Sequence, residues 1–194
     1  MDVVVWRHPR PHGAEGRCIG RTDLPVDRRK AKRLAHRIRG LARREGLRRE
    51  VWTSPLQRCV AVGRWLARWG WRHRLDARLA EMDFGIWDGH CWAEICKADI
   101  DAWCADFSRA RPGGGEALES LLDRCASFLA EPQGRVCIVV SHGGWITAAS
   151  RLARGEREAI EPSTWSAAVD HGACVDLRLA RGADQARVAR GHAR

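Results

Sequence analysis

Tyrosine is absent from this sequence, phenylalanine occurs 3 times, and lysine occurs only at Lys30, Lys32 and Lys97. The 34 basic residues therefore include 31 arginines, and the formal net charge is +10. We interpret the arginine bias, together with the many alanines and glycines, as a compositional habit of the source. The positive charge creates a field that attracts anionic ligands. Charge alone is weak support for nucleic-acid binding, and we predict no nucleic-acid partner.

Long apolar runs are also missing. No stretch of about 18 apolar residues is present, so we predict no transmembrane helix and no membrane partner. The amino terminus passes from Met1-Asp2 directly into a strand pattern, without the basic region or the cleavage site of a signal peptide. These observations predict a cytoplasmic protein.

The cysteines do not follow a metal-binding or disulfide pattern. There are 8 cysteines, none of them in a Cys-x-x-Cys pair, and most fall in apolar helix or strand segments. Free cysteine in such surroundings behaves as a small hydrophobic residue. We therefore predict reduced thiols, no metal site and no cofactor.

Strand and helix patterns alternate along the 194 residues, which indicates one α/β domain with a mainly parallel sheet. We assign this domain to residues 1–180 and a loose tail to residues 181–194. The predicted strands cover residues 2–6, 51–53, 136–140, 166–170 and 173–179, the last two as a hairpin about His171-Gly172. The predicted helices cover residues 27–44, 54–69, 91–107, 115–130 and 144–152.

Reactive side chains follow three of the predicted strands. Arg7 and His8 follow the first strand, Arg58 lies in a Ser-Pro-Leu-x-Arg segment after the second, and Ser141-His142-Gly143-Gly144 follows strand 136–140. Ligands of open α/β sheets bind beyond the carboxyl ends of the strands. Guanidinium groups and a helix amino terminus with free N–H groups both suit phosphate oxygens. We therefore expect a phosphate site at this edge of the sheet.

Five segments in the same order resemble the histidine phosphatase superfamily, which is also called phosphoglycerate-mutase-like: Arg7-His8, Gly20-x-x-Asp23-x-Pro25, Ser54-Pro55-Leu56-x-Arg58, Glu81-x-x-Phe84-Gly85-x-Trp87-x-Gly89 and Ser141-His142-Gly143-Gly144. Within the superfamily, Arg7-His8-Pro9-x-Pro11 and Gly16-x-Cys18-x-Gly20-Arg21-Thr22-Asp23 look most like α-ribazole-phosphatase-type members. The resemblance implies a three-layer α/β/α sandwich with a mainly parallel central sheet.

The resemblance also implies roles for individual residues. His8 would be the nucleophile that becomes a phosphohistidine, and His142 would share catalysis and phosphate binding. Glu81 would be the proton donor, because a carboxyl that faces a phosphate dianion holds its proton more tightly. Asp83 and Asp88 are neighbouring carboxylates that compete for this assignment. The expected phosphate ligands are Arg7, Arg58, His142, Gly143 and Arg21.

Two departures affect the residues around His8. The family's usual glycine after the catalytic histidine is Pro9 here, which fixes φ and removes an N–H group that was one candidate donor to the phosphate. The family's Glu-Thr pair and its later asparagine are replaced by Arg10-Pro11 and Ala14. Either Arg21 or Arg10 is able to supply the missing contacts to phosphate.

The resemblance implies a metal-independent phosphomonoesterase that acts on a small phosphorylated substrate, with α-ribazole 5′-phosphate as the specific expectation, in assembly of the cobalamin lower ligand. A broad small-molecule phosphatase or a phosphoglycerate mutase is the alternative within the superfamily. A non-catalytic phosphate- or nucleic-acid-binding module is the alternative of another class. The oligomeric state stays open, with a homodimer as one option.

Tryptophans near these segments have two interpretations each. Trp87 and Trp92 either wall the substrate side or pack locally, and we favour packing for Trp87. Trp65 and Trp69 are spaced as one face of a helix, which favours an amphipathic core helix over a nucleic-acid surface. His12, His36, His73, His90 and His171 lie outside the motifs, and we expect them at the surface.

Overall fold

The structure is a computed structural model, and it describes residues 2–131, 136–157 and 160–178. The strands in this part of the chain are β1 Val3–Arg7, β2 Glu50–Thr53, β3 Arg72–Leu75, β4 Cys137–Ser141 and β5 Cys174–Asp176. The α-helices are α1 Arg28–Arg44, α2 Gln57–Arg68, α3 Lys97–Ala105, α4 Leu118–Ala130 and α5 Gly143–Ala153. Short 3₁₀ helices cover Ala77–Leu79, Gly85–Trp87, Trp92–Glu94, Pro112–Gly114 and Pro162–Thr164.

The strands form one sheet in the order β3-β2-β4-β1-β5. The first four strands are parallel, and β5 runs antiparallel to β1 at the edge. β1 and β4 are almost entirely buried, as expected for parallel strands that are covered on both faces. The prediction of an α/β fold with a mainly parallel sheet is confirmed.

Alternate residues of β1 enter two separate hydrophobic cores. Val3 and Val5 face one core, which α4 and α5 complete with residues such as Phe128 and Trp145. Val4 and Trp6 face the other core, which α1 and α2 complete. The side-chain period of two along a strand therefore produces the three-layer α/β/α sandwich that the resemblance implied.

The structure differs from the expected elements at several places, and the helix expected over residues 115–130 begins only at Leu118. Residues 166–170 form no strand, so the expected hairpin is wrong: β5 pairs with β1 instead. β3 was not expected at all. The helix expected over residues 91–107 is divided into the turn Trp92–Glu94 and helix α3. The helix expected from Ser54 begins three residues later, at Gln57.

Several expectations lie outside the described residues. The proposed tail at 181–194 and the end of the strand expected at 173–179 are among them. Within the described ranges, no helix has the length and apolar character needed to cross a bilayer. All eight cysteines are free.

Candidate active site

The strand ends bring the predicted residues to one edge of the sheet. Arg7 at the end of β1 is in register with Ser141 at the end of β4, and Thr53 at the end of β2 is in register with Val140. The residues that follow these ends are His8, Ser54 and His142, and all three are buried. The parallel topology therefore joins segments from both ends of the sequence.

His8 lies against His142 with ring centroids 4.9 Å apart and an angle of 61° between the ring planes. Its Nδ1 is 2.8 Å from the Pro9 carbonyl oxygen. A carbonyl only accepts, so Nδ1 carries the proton and Nε2 of the neutral ring carries the lone pair. Burial lowers the pKa of His8 well below its ordinary value, and the charge of Arg58 lowers it further. His8 is therefore held as a neutral imidazole, which is the nucleophilic form.

His142 is held in the opposite tautomer. Arg58 Nε donates to His142 Nδ1 at 3.2 Å, so this nitrogen is the acceptor and Nε2 carries the proton. His142 Nε2 donates to Ser54 Oγ at 2.8 Å. Burial lowers the pKa of His142 well below its ordinary value, and the charge of Arg58 again adds to the effect. Both ring nitrogens are therefore engaged by protein groups.

Arg58 is fixed by backbone carbonyls of a distant loop. Its side chain is almost fully buried, and it donates to the Thr22 oxygen at 2.8 Å and to the Gly20 oxygen at 2.6 Å. With the bond to His142, three of its five N–H groups are used, which leaves two for another acceptor. The guanidinium plane is thus set before any anion arrives.

Asp88 shapes the loop that holds Arg58. Its carboxylate accepts from the backbone N–H groups of Gly20, Arg21 and Thr22, and from the Thr22 hydroxyl. A carboxylate surrounded by N–H donors imposes one conformation on the loop. From the sequence, Asp88 was expected only as an alternative to Glu81 for the proton donor, and its function in the loop was not predicted.

Two arginine nitrogens in this region are buried and have no hydrogen-bond partner among the described residues: Arg7 Nε and Arg21 Nε. Arg7 donates through its NH1 group to the Val169 oxygen at 2.6 Å. Its guanidinium also lies against the start of α5, because a Cβ on Gly143 would be 3.2 Å from Arg7 Cζ. The charge of Arg21 contributes to the lowered pKa of His142. Buried donors of this kind are suited to a bound anion.

Glu81 occupies the amino terminus of α5. Its carboxylate accepts from the N–H groups of Gly144 at 3.0 Å, Trp145 at 3.2 Å and Met82 at 3.1 Å. We expected the first N–H groups of this helix to be free for phosphate, and for Gly144 and Trp145 that expectation is wrong. The approach is possible because residue 144 lacks a side chain: a Cβ there would be 2.6 Å from Glu81 Oε1.

His171 lies beside His8, although we expected it at the surface. The ring is half-buried, its centroid is 5.3 Å from that of His8, and its Nδ1 is 3.3 Å from the His8 oxygen. Burial lowers the pKa of His171 to about 4, with a further contribution from Arg7. His73 is also half-buried, whereas His12, His36 and His90 are exposed as expected.

The tryptophans near Glu81 differ from each other. Trp87 is buried and packs against Trp103 with ring centroids 5.9 Å apart, which agrees with the packing interpretation. Trp92 is 38% exposed and its ring meets the edge of Phe84.

A comparison with family models agrees with this geometry. The model described as histidine phosphatase superfamily (branch 1) matches residues 3–188. The chain belongs to the histidine phosphatase superfamily.

Relatives of this superfamily member carry different names. Phosphoglycerate mutase-like protein 4 of Arabidopsis thaliana is 31% identical over 175 residues, covering 82% of this chain and 74% of that protein. A solved phosphoglycerate mutase from Thermus thermophilus is 28% identical, with a TM-score of 0.66 over 90% of this chain and 91% of its own. The α-ribazole phosphatase of Shigella flexneri is 23% identical, with a TM-score of 0.71 over 90% of this chain and 88% of its own. That last likeness supports the fold alone. Membership of the histidine phosphatase superfamily supports a phosphatase or a mutase.

Proposed function

We propose that the protein is a phosphomonoesterase that works through a phosphohistidine on His8. The observation that carries the proposal is the pair of buried imidazoles 4.9 Å apart, with His8 held in the tautomer whose Nε2 is a nucleophile. Covalent capture divides a difficult hydrolysis into two easier steps.

In the first step, His8 Nε2 attacks phosphorus and the bond from phosphorus to the ester oxygen breaks. Protonated Glu81 gives its proton to the leaving alkoxide, and the product alcohol departs. The Nδ1–H bond to the Pro9 oxygen stabilises the positive charge that the phosphorylated ring acquires. In the second step, water attacks phosphorus, Glu81 takes a proton from it, and the bond from nitrogen to phosphorus breaks. His8 returns to its neutral form and phosphate leaves.

Arginine side chains would supply the positive charge around the transferring phosphoryl group, so the proposed reaction requires no metal. Arg7 Nε, Arg21 Nε and the two remaining N–H groups of Arg58 would bind phosphoryl oxygens. The N–H of Gly143 would add a donor at the helix terminus. For His142 to bind phosphate, its Nε2–H must leave Ser54 and turn to the ligand.

Glu81 gives a proton in the first step and takes one in the second. Three backbone N–H groups, those of Met82, Gly144 and Trp145, hold its carboxyl group in place at the amino terminus of α5.

For the substrate we propose α-ribazole 5′-phosphate, in assembly of the cobalamin lower ligand in the cytoplasm. The support is the subgroup resemblance of residues 7–23 and the fold shared with an α-ribazole phosphatase. Phosphoglycerate mutase is the second candidate, because the Thermus structure of that name is 28% identical to this chain, compared with 23% for the α-ribazole phosphatase.

The deciding experiment compares phosphate release from α-ribazole 5′-phosphate, 3-phosphoglycerate and p-nitrophenyl phosphate by the wild type, His8→Ala and the control His12→Ala. We expect selective turnover of the first substrate and a loss of at least about 10³-fold in His8→Ala only. Isomerisation of 3-phosphoglycerate without phosphate release would establish the mutase instead. Equal turnover of all three substrates would replace the assigned substrate with a broad specificity. An inactive wild type that takes up no acid-labile phosphate would establish a binding module.

A further inference from the structure

A cavity of about 610 Å³ lies at the opposite edge of the sheet from the active site. Its lining includes Arg49, which precedes β2, and Trp71, which precedes β3. These positions are at the amino ends of parallel strands, whereas His8 and Ser54 follow carboxyl ends. The cavity is therefore separate from the proposed catalytic residues, and its volume is in the range of small-molecule sites.

The positive charge of the protein is concentrated in the part of the chain that supplies this cavity. Residues 28–74 hold 16 of the 34 basic residues and only 2 of the 24 acidic ones, so their net charge is +14. The rest of the chain, with 18 basic and 22 acidic residues, has a net charge of −4. The arginine excess is thus a property of the layer that contains α1 and α2, and it creates a local field for anions.

Three arginines line the cavity, and within the described ranges none of them forms an ion pair: Arg39, Arg43 and Arg49. The two carboxylates of the segment are occupied elsewhere. Glu45 pairs with Arg178 at 2.9 Å, and Glu50 pairs with Arg74. Arg43 lies in the last turn of α1, where a cation also stabilises the helix terminus, but Arg49 lies outside the helix and has no such role.

Indole rings complete the cavity wall. Trp71 is buried and Trp69 is half-buried. The Arg39 guanidinium stands over the Trp69 ring at 5.3 Å from its centroid, which orients this arginine. The Trp69 ring also contacts the rings of His36 and Trp65, with centroids 4.4 Å and 6.0 Å away. The planar Arg39 guanidinium is therefore the group that a flat ring would stack on, and it favours a ligand that combines a planar ring with an anion.

We propose that this cavity binds a small anion that carries a flat aromatic ring, of the chemical class of mononucleotides. Arg43 and Arg49 bind its phosphate, and its ring stacks on the Arg39 guanidinium that stands over Trp69. This site adds a binding function away from the catalytic residues and does not depend on the proposed reaction.

The test measures binding of AMP, adenosine and inorganic phosphate by calorimetry in His8→Ala, which prevents hydrolysis of AMP. Two further variants in this background remove the same charge: Arg43→Gln/Arg49→Gln in the cavity, and Arg29→Gln/Arg33→Gln at the other end of α1. All four arginines are exposed, so both variants should fold. We expect the cavity variant to weaken AMP binding at least about tenfold and the control to change it less than about twofold.

Adenosine and phosphate should each bind at least about tenfold more weakly than AMP, since each lacks half of the interactions. An equal loss in both variants would mean a general charge effect and would overturn the proposal. The proposal would also be overturned if neither variant changed the affinity for AMP. The same holds if inorganic phosphate bound as tightly as AMP. In the His8-intact protein, turnover of the proposed substrate should be the same in both variants.

Discussion

At the scale of single residues, Pro9 has two opposite effects on His8, the proposed nucleophile. The proline removes an N–H group next to His8 and with it one possible contact to phosphate. Its carbonyl oxygen nevertheless accepts the Nδ1 proton of His8 at 2.8 Å and so fixes the tautomer. The departure from the family pattern at this position is therefore compatible with a nucleophilic His8. In place of the missing N–H group, Arg7 Nε and Arg21 Nε, which have no partner among the described residues, would donate to phosphate.

Replacement of Glu81 should affect substrates according to their leaving group. We expect Glu81→Gln to lower kcat for an alkyl phosphate by about 10²- to 10⁴-fold, because the alkoxide no longer receives a proton. The leaving group p-nitrophenolate needs no proton, so p-nitrophenyl phosphate should still phosphorylate His8. A rapid-quench experiment should then show a burst of p-nitrophenol and accumulated acid-labile phosphate.

Asp83→Asn is the matched control, because Asp83 is the neighbouring carboxylate and accepts the N–H of Gly85 at 2.8 Å. A burst in Asp83→Asn, or none in Glu81→Gln, would contradict the assigned proton donor.

Single residues were predictable where a strand end or a motif marked them. His8 and His142 follow apolar strands, and Arg58 lies in a recognisable segment. Asp88 acts through backbone N–H groups more than 60 positions earlier, and His171 reaches His8 across 163 positions. Neither contact has a local pattern, because it arises from the tertiary fold.

At the scale of elements, the amino terminus of α5 depends on a residue without a side chain. Gly144→Ala should force Glu81 out of its position, since the added Cβ would be 2.6 Å from Oε1. We expect kcat to fall by about 10- to 100-fold, because small displacements of reacting groups have effects of this size. Thermal unfolding should change little, as alanine is the better helix former.

Gly40→Ala provides the comparison within a helix. A Cβ at position 40 would have an ordinary contact of 3.6 Å with Arg44, so activity should be unchanged and stability slightly higher. Equal activity in the two variants would show that Glu81 does not need its present position.

The loop 20–22 should lose its shape without Asp88. Asp88→Ala leaves three backbone N–H groups without their acceptor and frees the carbonyls that hold Arg58. We expect the KM for the phosphorylated substrate to rise at least about tenfold and the free energy of unfolding to fall by about 1–3 kcal/mol. Steady-state kinetics and urea titration measure the two effects. The exposed Asp99→Ala should show neither, and an unchanged KM in Asp88→Ala would refute the loop's role.

Helices and strands were predicted well where apolar residues recur with a clear period. The predictions were poor for the edge strand β3 and for the starts of α2 and α3. β3 has no apolar alternation, since its residues are Arg72, His73, Arg74 and Leu75, and only pairing with β2 makes it a strand. The start of α2 is set by Asp23, which accepts the Gln57 N–H at 2.6 Å from a different part of the chain. The turn before α3 forms because Glu94 accepts the N–H of Cys91, which competes with a continuous helix.

At the scale of the whole molecule, the buried histidines make stability depend on pH. Burial lowers the pKa of His8 and of His142 well below the value of about 6.5 expected in the unfolded chain, and it lowers the pKa of His171 to about 4. The unfolded state therefore binds protons that the folded state does not, so stability is complete above about pH 6.5 and is lost as the pH falls toward the folded pKa values. Each of these three histidines contributes about 1.4 kcal/mol per pH unit in this window. We expect the free energy of unfolding to fall by about 3–4 kcal/mol between pH 6 and pH 5 in urea titrations.

His142→Asn should remove about a third of this slope, whatever its effect on stability at pH 7. His90→Asn, at an exposed position, should leave the slope unchanged. If both variants kept the full slope, the acid sensitivity would arise from other groups.

The position of β1 between β4 and β5 also fixes when the site is completed during synthesis. β1 is made first, yet both of its neighbours in the sheet come from residues 137–176. Arg7 precedes its partner Ser141 by 134 positions, which a ribosome translates in roughly 7 to 27 s at about 5–20 residues per second. During that interval the apolar segment Val3-Val4-Val5-Trp6 has no partner strand and is a target for chaperones. The site around His8 and His142 therefore cannot form until most of the chain has left the ribosome.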